Sequence, residues 1–417
     1  MARLQAGWDN IIIGLAAFLF HLWHVPAVAA GAIFKKSNLA FDFDINRFVA
    51  LWGGDPFPVA ENEGYYATRH PLAVLVRLVC RPLVGAGLDA HQVACAIAAL
   101  TAAASAVLAF RIALALGVKR GLAYGFTALW AFSTAPLLLG VLPETYGLAF
   151  VALSAQFLLA IRWINGTEPA WAVRVAVAVA SFGITITNVV LSGLSELACR
   201  LAKQSLVKAL LGTAGFSAAV AVIGAILGAA SFHVWPVDHT EGSNNAVKQV
   251  YWDATSADRT TQRQSVGDVA WTFGGIGFVT PPAARFPSGV PANPYLWDLR
   301  GSNFGITGWI AVLGWLMLLA GGIAAAALDR VYRPVWIVAA LWITANIALH
   351  SYWQFRDTVF LYAGHPHIAF FVLALAGARW AQQRDRGALI YGAALAIVTV
   401  CMALNNLPVY WSLAWLD

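Results

Sequence analysis

Charge is scarce in this chain: only 11% of its 417 residues are Asp, Glu, Lys or Arg, too few to solvate a soluble domain of that length. Cysteine is scarce as well. The four present (Cys80, Cys95, Cys199 and Cys401) lie in or beside apolar runs without CxxC spacing, so they read as small core residues and imply no disulfide framework. Blocks of like charge are absent, and the formal net charge of +6 is scattered between hydrophobic segments. That distribution fits membrane topology and argues against a nucleic-acid partner.

What is present in abundance is apolar: 60% of the residues are hydrophobic. They gather into segments at 8–32, 90–117, 121–141, 145–162, 172–187, 189–200, 209–231, 303–327, 335–351, 363–379 and 387–404. A hydrocarbon layer of about 30 Å takes about 20 such residues per helix, so the expectation is an all-α integral membrane protein of about eleven transmembrane helices, one polytopic domain over 1–417. The first run, between Arg3 and Lys35-Lys36, is too long for a signal peptide and reads as a retained helix.

A cytoplasmic N-terminus places Lys119, Arg120, Arg162, Arg174, Arg200, Lys203, Lys208, Arg330, Arg333, Arg379, Arg384 and Arg386 in short inner turns. It sends two long loops, 33–89 and 232–302, to the outer face with most of the acids; Asp9, Glu168, Glu196, Asp329 and Asp385 are the exceptions. Chemistry is therefore sought at the outer face. Segments 172–187 and 189–200 are short for two crossings and read as half-depth helices around Thr185, Thr187 and Asn188, bordering a polar cavity. The alternative is one long tilted helix.

In the first outer loop Ile45, Phe48, Val49 and Trp52 recur at helical spacing, Asp44 stands at the N-cap position and Gly53-Gly54 ends the run. This reads as an amphipathic helix on the membrane surface. Asp44 is either a cap or a general base at the mouth of the cavity, with Asp42 beside it. Farther on, Arg69-His70-Pro71 follows Tyr65-Tyr66, and Arg77 and Arg81 read as arginines snorkelling to headgroups.

The acidic first outer loop, the His70-Pro71-Leu72 sequence, Phe132-Ser133 with Pro136, and Pro143-Glu144-Thr145-Tyr146-Gly147 together resemble the polytopic GT-C glycosyltransferases, protein O-mannosyltransferase-like bacterial proteins above all. The resemblance lies mainly within 40–190. It implies a catalytic aspartate early in the first outer loop, matched best by Asp44 within Asp44-Ile45-Asn46-Arg47-Phe48 and otherwise by Asp42. It also implies a polyprenyl-phosphate sugar as donor and a cavity-facing Glu144 that orients the acceptor or an arginine.

The second outer loop holds His233, Asp238, His239, Tyr251, Trp252, Asp253, Arg259, Arg263, Arg285 and Arg300, a mixture suited to carbohydrate, and is long enough for a folded cap or lid. Near the C-terminus, His350 to Asp357 and Tyr362 to His367 mark two more outer helix ends. His365-x-His367 has metal-ligand spacing but no third ligand nearby, so no metal site is assigned. Tyr352, Trp353 and Tyr362 equally suit an aromatic belt.

The reading is a transferase that moves a sugar from a polyprenyl-phosphate donor to a lipid, glycan or protein acceptor at the outer face of a bacterial inner membrane. Asp44, Asp42 and Glu144 are the candidate catalytic residues. Arg69, His70, Arg356 and His365 would hold the donor phosphate, and Arg47, Tyr66, Tyr362 and His367 the rest of the substrates. No dissociating cofactor is required; a divalent metal on Asp42 and Asp44 is the alternative. Two rival readings are an O-antigen polymerase or ligase using Arg259, Arg263 or Arg285, and a lipid or sugar transporter, for which Glu196 is the candidate intramembrane charge.

Overall fold

The computed structural model describes residues 2–31, 33, 45–53, 70–234, 265–282, 284–285, 297–298, 303–352 and 359–415. The helices are α1 (Ala2–Ala30), α2 (Ile45–Trp52), α3 (Pro71–Leu75), α4 (Arg77–Gly85), α5 (Ala90–Ala115), α6 (Arg120–Phe132), α7 (Thr134–Leu139) and α8 (Thr145–Ile164). After them come α9 (Trp171–Ile184), α10 (Val189–Leu201), α11 (Leu206–Val234), α12 (Val266–Trp271), α13 (Gly305–Leu328), α14 (Arg333–Tyr352), α15 (His367–Ala381) and α16 (Gly387–Ser412). Apart from a two-residue antiparallel pairing of 284–285 with 297–298, the described secondary structure is helical.

Every apolar segment read from the sequence is helical, but seven helices among the described residues are long and apolar enough to cross a membrane: α1, α5, α8, α11, α13, α14 and α16. This is the make-up of an integral membrane protein. The remaining segments are short or broken for local reasons. Segment 121–141 splits at Ser133, which is extended (φ −70°, ψ 149°), because Pro136 in the next turn lacks an N–H and its ring crowds the preceding carbonyls. Segment 172–200 breaks where Ile184-Thr185-Ile186-Thr187 puts four β-branched residues in a row, with Thr185 extended (φ −153°, ψ 123°).

That second break is a hairpin. Arg174 Nε lies 3.3 Å from Glu196 Oε2, whereas a continuous helix would hold residues 22 positions apart at about 33 Å. The long-tilted-helix alternative is therefore excluded.

Helices α5, α8 and α15 form the centre, and nearly every side chain of α15 is buried. Helices α1 and α16 flank them, α11 packs on α3, α9 and α10, and these three turn Leu19, Trp23, Leu211, Ile226, Leu389 and Ile390 outward, as lipid-facing helices do. Small residues set the closest approach: a Cβ on Gly322 of α13 would stand 2.3 Å from the Leu373 carbonyl oxygen of α15, so these backbones touch only because that position is glycine.

The surface helix expected at 45–52 forms, but its apolar residues Ile45, Phe48, Val49 and Trp52 are buried on protein, against α3, α4 and α5, rather than laid on lipid. Trp52 Nε1 donates to Ala73 O at 3.0 Å. Arg77 is a correction of the same kind. Instead of snorkelling it is buried, and its Nη1 donates to the Ala50 and Leu51 carbonyls at 2.9 and 3.2 Å, satisfying the C-terminal end of α2.

One end of the bundle collects the basic residues assigned to inner turns. Arg379 bridges Asp329 and Leu116 O, Gln382 joins Lys119 N and Gly117 O, and Tyr332 joins Asn165 and Ala115 O. Most of the acids that broke the charge pattern are paired there: Asp9 with Arg120, Glu168 with Arg174, Glu196 with Arg174 and Arg200, and Asp329 with Arg379. These four exceptions to the acid-outside pattern are thus arginine partners that relieve basic charge at one shared end.

Candidate functional site

At the opposite end, the start of α3, the 184–188 hairpin tip, the start of α8, the end of α14 and the turn before α15 come together. Pro71 fixes the first turn of α3 and leaves His70 just before it, from where its Nδ1 reaches Ile184 O at 2.5 Å. Four residues further along the tip, Asn188 Oδ1 lies 2.6 Å from His365 Nδ1. In both rings the partner is an acceptor, so Nδ1 carries the hydrogen, and in His365 this leaves Nε2 for other chemistry. The two histidines grip the hairpin tip from either side.

His365 is held on its far side too. Its carbonyl accepts a hydrogen bond from Trp342 Nε1 at 2.9 Å, and Tyr146 meets its ring edge-on at 5.1 Å between centroids. Tyr146 also meets Tyr362 at 5.8 Å, and Tyr362 stacks on His350 at 4.3 Å. Gly364 is what lets Tyr146 in, since a Cβ there would stand 3.1 Å from Tyr146 Cβ. Beside Tyr146, Glu144 is 3% exposed and caps α8, accepting from Thr145 N at 3.1 Å. It is a buried carboxylate and not a solvated turn residue.

His367 belongs to a different place. Its Nε2 lies 2.9 Å from Ser133 Oγ, and its ring stacks on Phe278 at 3.8 Å, which in turn stacks on Trp315 at 3.8 Å. The two histidines of the His-x-His pair therefore diverge, one to the hairpin tip and one into the core. No group of three His, Cys, Asp or Glu side chains among the described residues could hold a metal.

Phe278 comes from the second long loop, whose residues 265–282 enter the bundle. A π-helical turn, Thr272–Ile276, and the residues after it are buried there. They take up the donors freed by the Ser133 break: Thr134 N donates to Phe278 O at 3.1 Å and Ala135 N to Gly277 O at 2.9 Å. Asn406 closes the joint, donating to Phe132 O and Phe278 O and accepting from Thr280 N.

Of the sequence-derived candidates, the structure brings together His70, His365 and Tyr362, with Glu144 adjacent through Tyr146, and sets His367 apart. Asp42, Asp44, Tyr66, Arg69 and Arg356 lie outside the described residues, and of Arg47 only the backbone, in α2, is described. Sequence reasoning left Asn188, Tyr146, Trp342 and Ser133 out of the site. It also passed over His21 and His24, buried on α1 and bonded to Tyr410 OH and Tyr410 O at 3.0 and 3.1 Å. Their i, i+3 spacing within an apolar run was the available signal. No protein-family model matches the chain, and no curated protein shows significant similarity to it.

Proposed function

We propose that the chain is a GT-C-like glycosyltransferase of a bacterial inner membrane, acting at the end that carries the two long loops. The polyprenyl-phosphate sugar enters laterally beside the hairpin tip. The Asp44 carboxylate takes the proton of an acceptor hydroxyl, whose oxygen attacks the anomeric carbon; the bond from that carbon to the phosphate oxygen breaks, and polyprenyl phosphate leaves. A single displacement inverts the anomeric centre. His70 and His365, with Arg69 and Arg356, compensate the leaving phosphate, and Glu144 orients the acceptor.

The observation that carries this reading is the convergence of His70, Tyr146, Asn188, Tyr362 and His365 at one end from segments far apart in sequence. Convergent polar groups among aromatic rings are what a sugar phosphate requires. The transporter reading draws less support. Glu196 sits between Arg174 and Arg200 at the other end, a fixed ion pair and not an isolated charge awaiting cargo.

A structure with polyprenyl phosphate bound tests the proposal. The phosphate is expected within hydrogen-bond reach of at least one of Arg69, His70, Arg356 and His365. A phosphate beyond reach of all four overturns the assignment and moves it to Arg259, Arg263, Arg285 or Arg300.

A further inference from the structure

The seam between α8 and α10 holds more buried polarity than its hydrogen bonds use. Asn188, Ser192, Ser195 and Cys199 recur at i, i+4, i+7 and i+11 and so share one face of α10 and its leading turn. Cys199 fixes what that face meets: its Sγ lies 3.7 Å from Ala160 O of α8. On α8, Gln156, Ala160 and Trp163 form the matching stripe. The two helices run in the same direction, both ending at the ion-paired end, so one turn back from the Cys199–Ala160 contact Ser195 faces Gln156.

Along these two stripes Asn188 Nδ2, Ser192 Oγ, Ser195 Oγ, Gln156 Oε1 and Trp163 Nε1 have no hydrogen-bond partner among the described residues, and all five residues are buried. Thr134, Ser154, Ser181 and Ser351 carry orphaned buried hydroxyls at scattered places in the bundle, but other buried hydroxyls are satisfied. Ser105 donates to Ala102 O, Thr127 to Ala123 O and Thr399 to Leu395 O, each within its own helix. A run of orphaned donors and acceptors on two facing stripes needs a partner small enough to enter and able both to donate and to accept.

We propose that this seam is a binding site for a file of water molecules, leading from Asn188 and His365 at the hairpin tip to the Glu196 carboxylate between Arg174 and Arg200. Each water bridges the α8 and α10 stripes. The file hydrates the buried ion network and gives it a proton-exchange route to the site end. This inference is independent of the reaction the protein performs.

Ser192→Cys and Ser195→Cys, placed singly in a chain whose native cysteines are replaced by alanine, test it with a small methanethiosulfonate reagent, which reacts with thiolate in water. Ser105→Cys is the dry control, since Ser105 is buried and bonded to Ala102 O and Trp130 Nε1. Both seam cysteines are expected to react at least about tenfold faster than the control. Seam cysteines as inert as the control overturn the proposal. The otherwise native chain supplies a second readout through Ser195→Ala. In a hydrated seam this removes a water partner and lowers Tm, whereas in a dry seam it relieves an orphaned hydroxyl, so a Tm that holds or rises overturns the proposal.

Discussion

Glu144 combines burial with an acidic side chain: its carboxyl group caps α8 and stands two residues before Tyr146, which lies edge-on to both His365 and Tyr362. Glu144→Gln keeps the shape and a capping oxygen but removes the charge. We expect transfer turnover to fall at least about tenfold with thermal stability little changed; unchanged turnover and acceptor dependence would reduce Glu144 to a cap. Asn188 and His365 make a sharper pair. Because Asn188 Oδ1 fixes the His365 ring, Asn188→Ala and His365→Ala should be non-additive in donor affinity, with a coupling of about 0.5–3 kcal/mol in a double-mutant cycle. Additive losses would mean the ring needs no such partner. At this scale the sequence showed His70, Tyr362 and His365 because each sits beside a proline or a helix end. It placed Asn188 at the hairpin tip but could not show its partner, 177 residues away, or the buried role of Arg77, whose acceptors are backbone carbonyls.

Among the elements, the α9–α10 hairpin depends on its base. Arg174 and Glu196 are both buried there, and Trp163 lies 4.1 Å from the Arg174 guanidinium. Glu196→Ala leaves Arg174 buried without that partner and is expected to cost about 3–5 kcal/mol in reversible unfolding, while Arg174→Met with Glu196→Met costs much less. Equal losses in the single and double variants would contradict the pairing. The α13–α15 contact gives another test. Gly322→Ala drives a Cβ against the Leu373 carbonyl and should cost about 1–3 kcal/mol; a neutral substitution would mean that the two backbones are not held at this distance. Helical segments were legible from hydrophobicity, but their breaks were not all so. Pro136 and the Ile-Thr-Ile-Thr run weaken α-helix locally, yet the break at Ser133 also depends on carbonyls supplied by residues 277 and 278 of a distant loop. That loop segment, rich in glycine, is read from the sequence as part of an outer cap or lid and instead enters the core.

For the molecule as a whole, the polar groups sort to two ends of an apolar bundle, one of them bound together by arginine–carboxylate pairs and the other by histidine, asparagine and aromatic contacts. The basic end is expected on the cytoplasmic side. A cysteine at exposed Lys203 should be labelled by an impermeant reagent only in inverted vesicles, and labelling from the outside of intact cells would reverse the topology. That orientation places the Asn188–His365 end where a lipid-linked sugar would be used. Purified protein and its Asp44→Asn variant, incubated with radiolabelled polyprenyl-phosphate sugars and a panel of lipid, glycan and protein acceptors, test the central claim most directly. The account predicts label moving from donor to an acceptor with the native protein and a loss of at least about 100-fold per folded molecule in the variant. Retention of all label on the donor across the panel would contradict it.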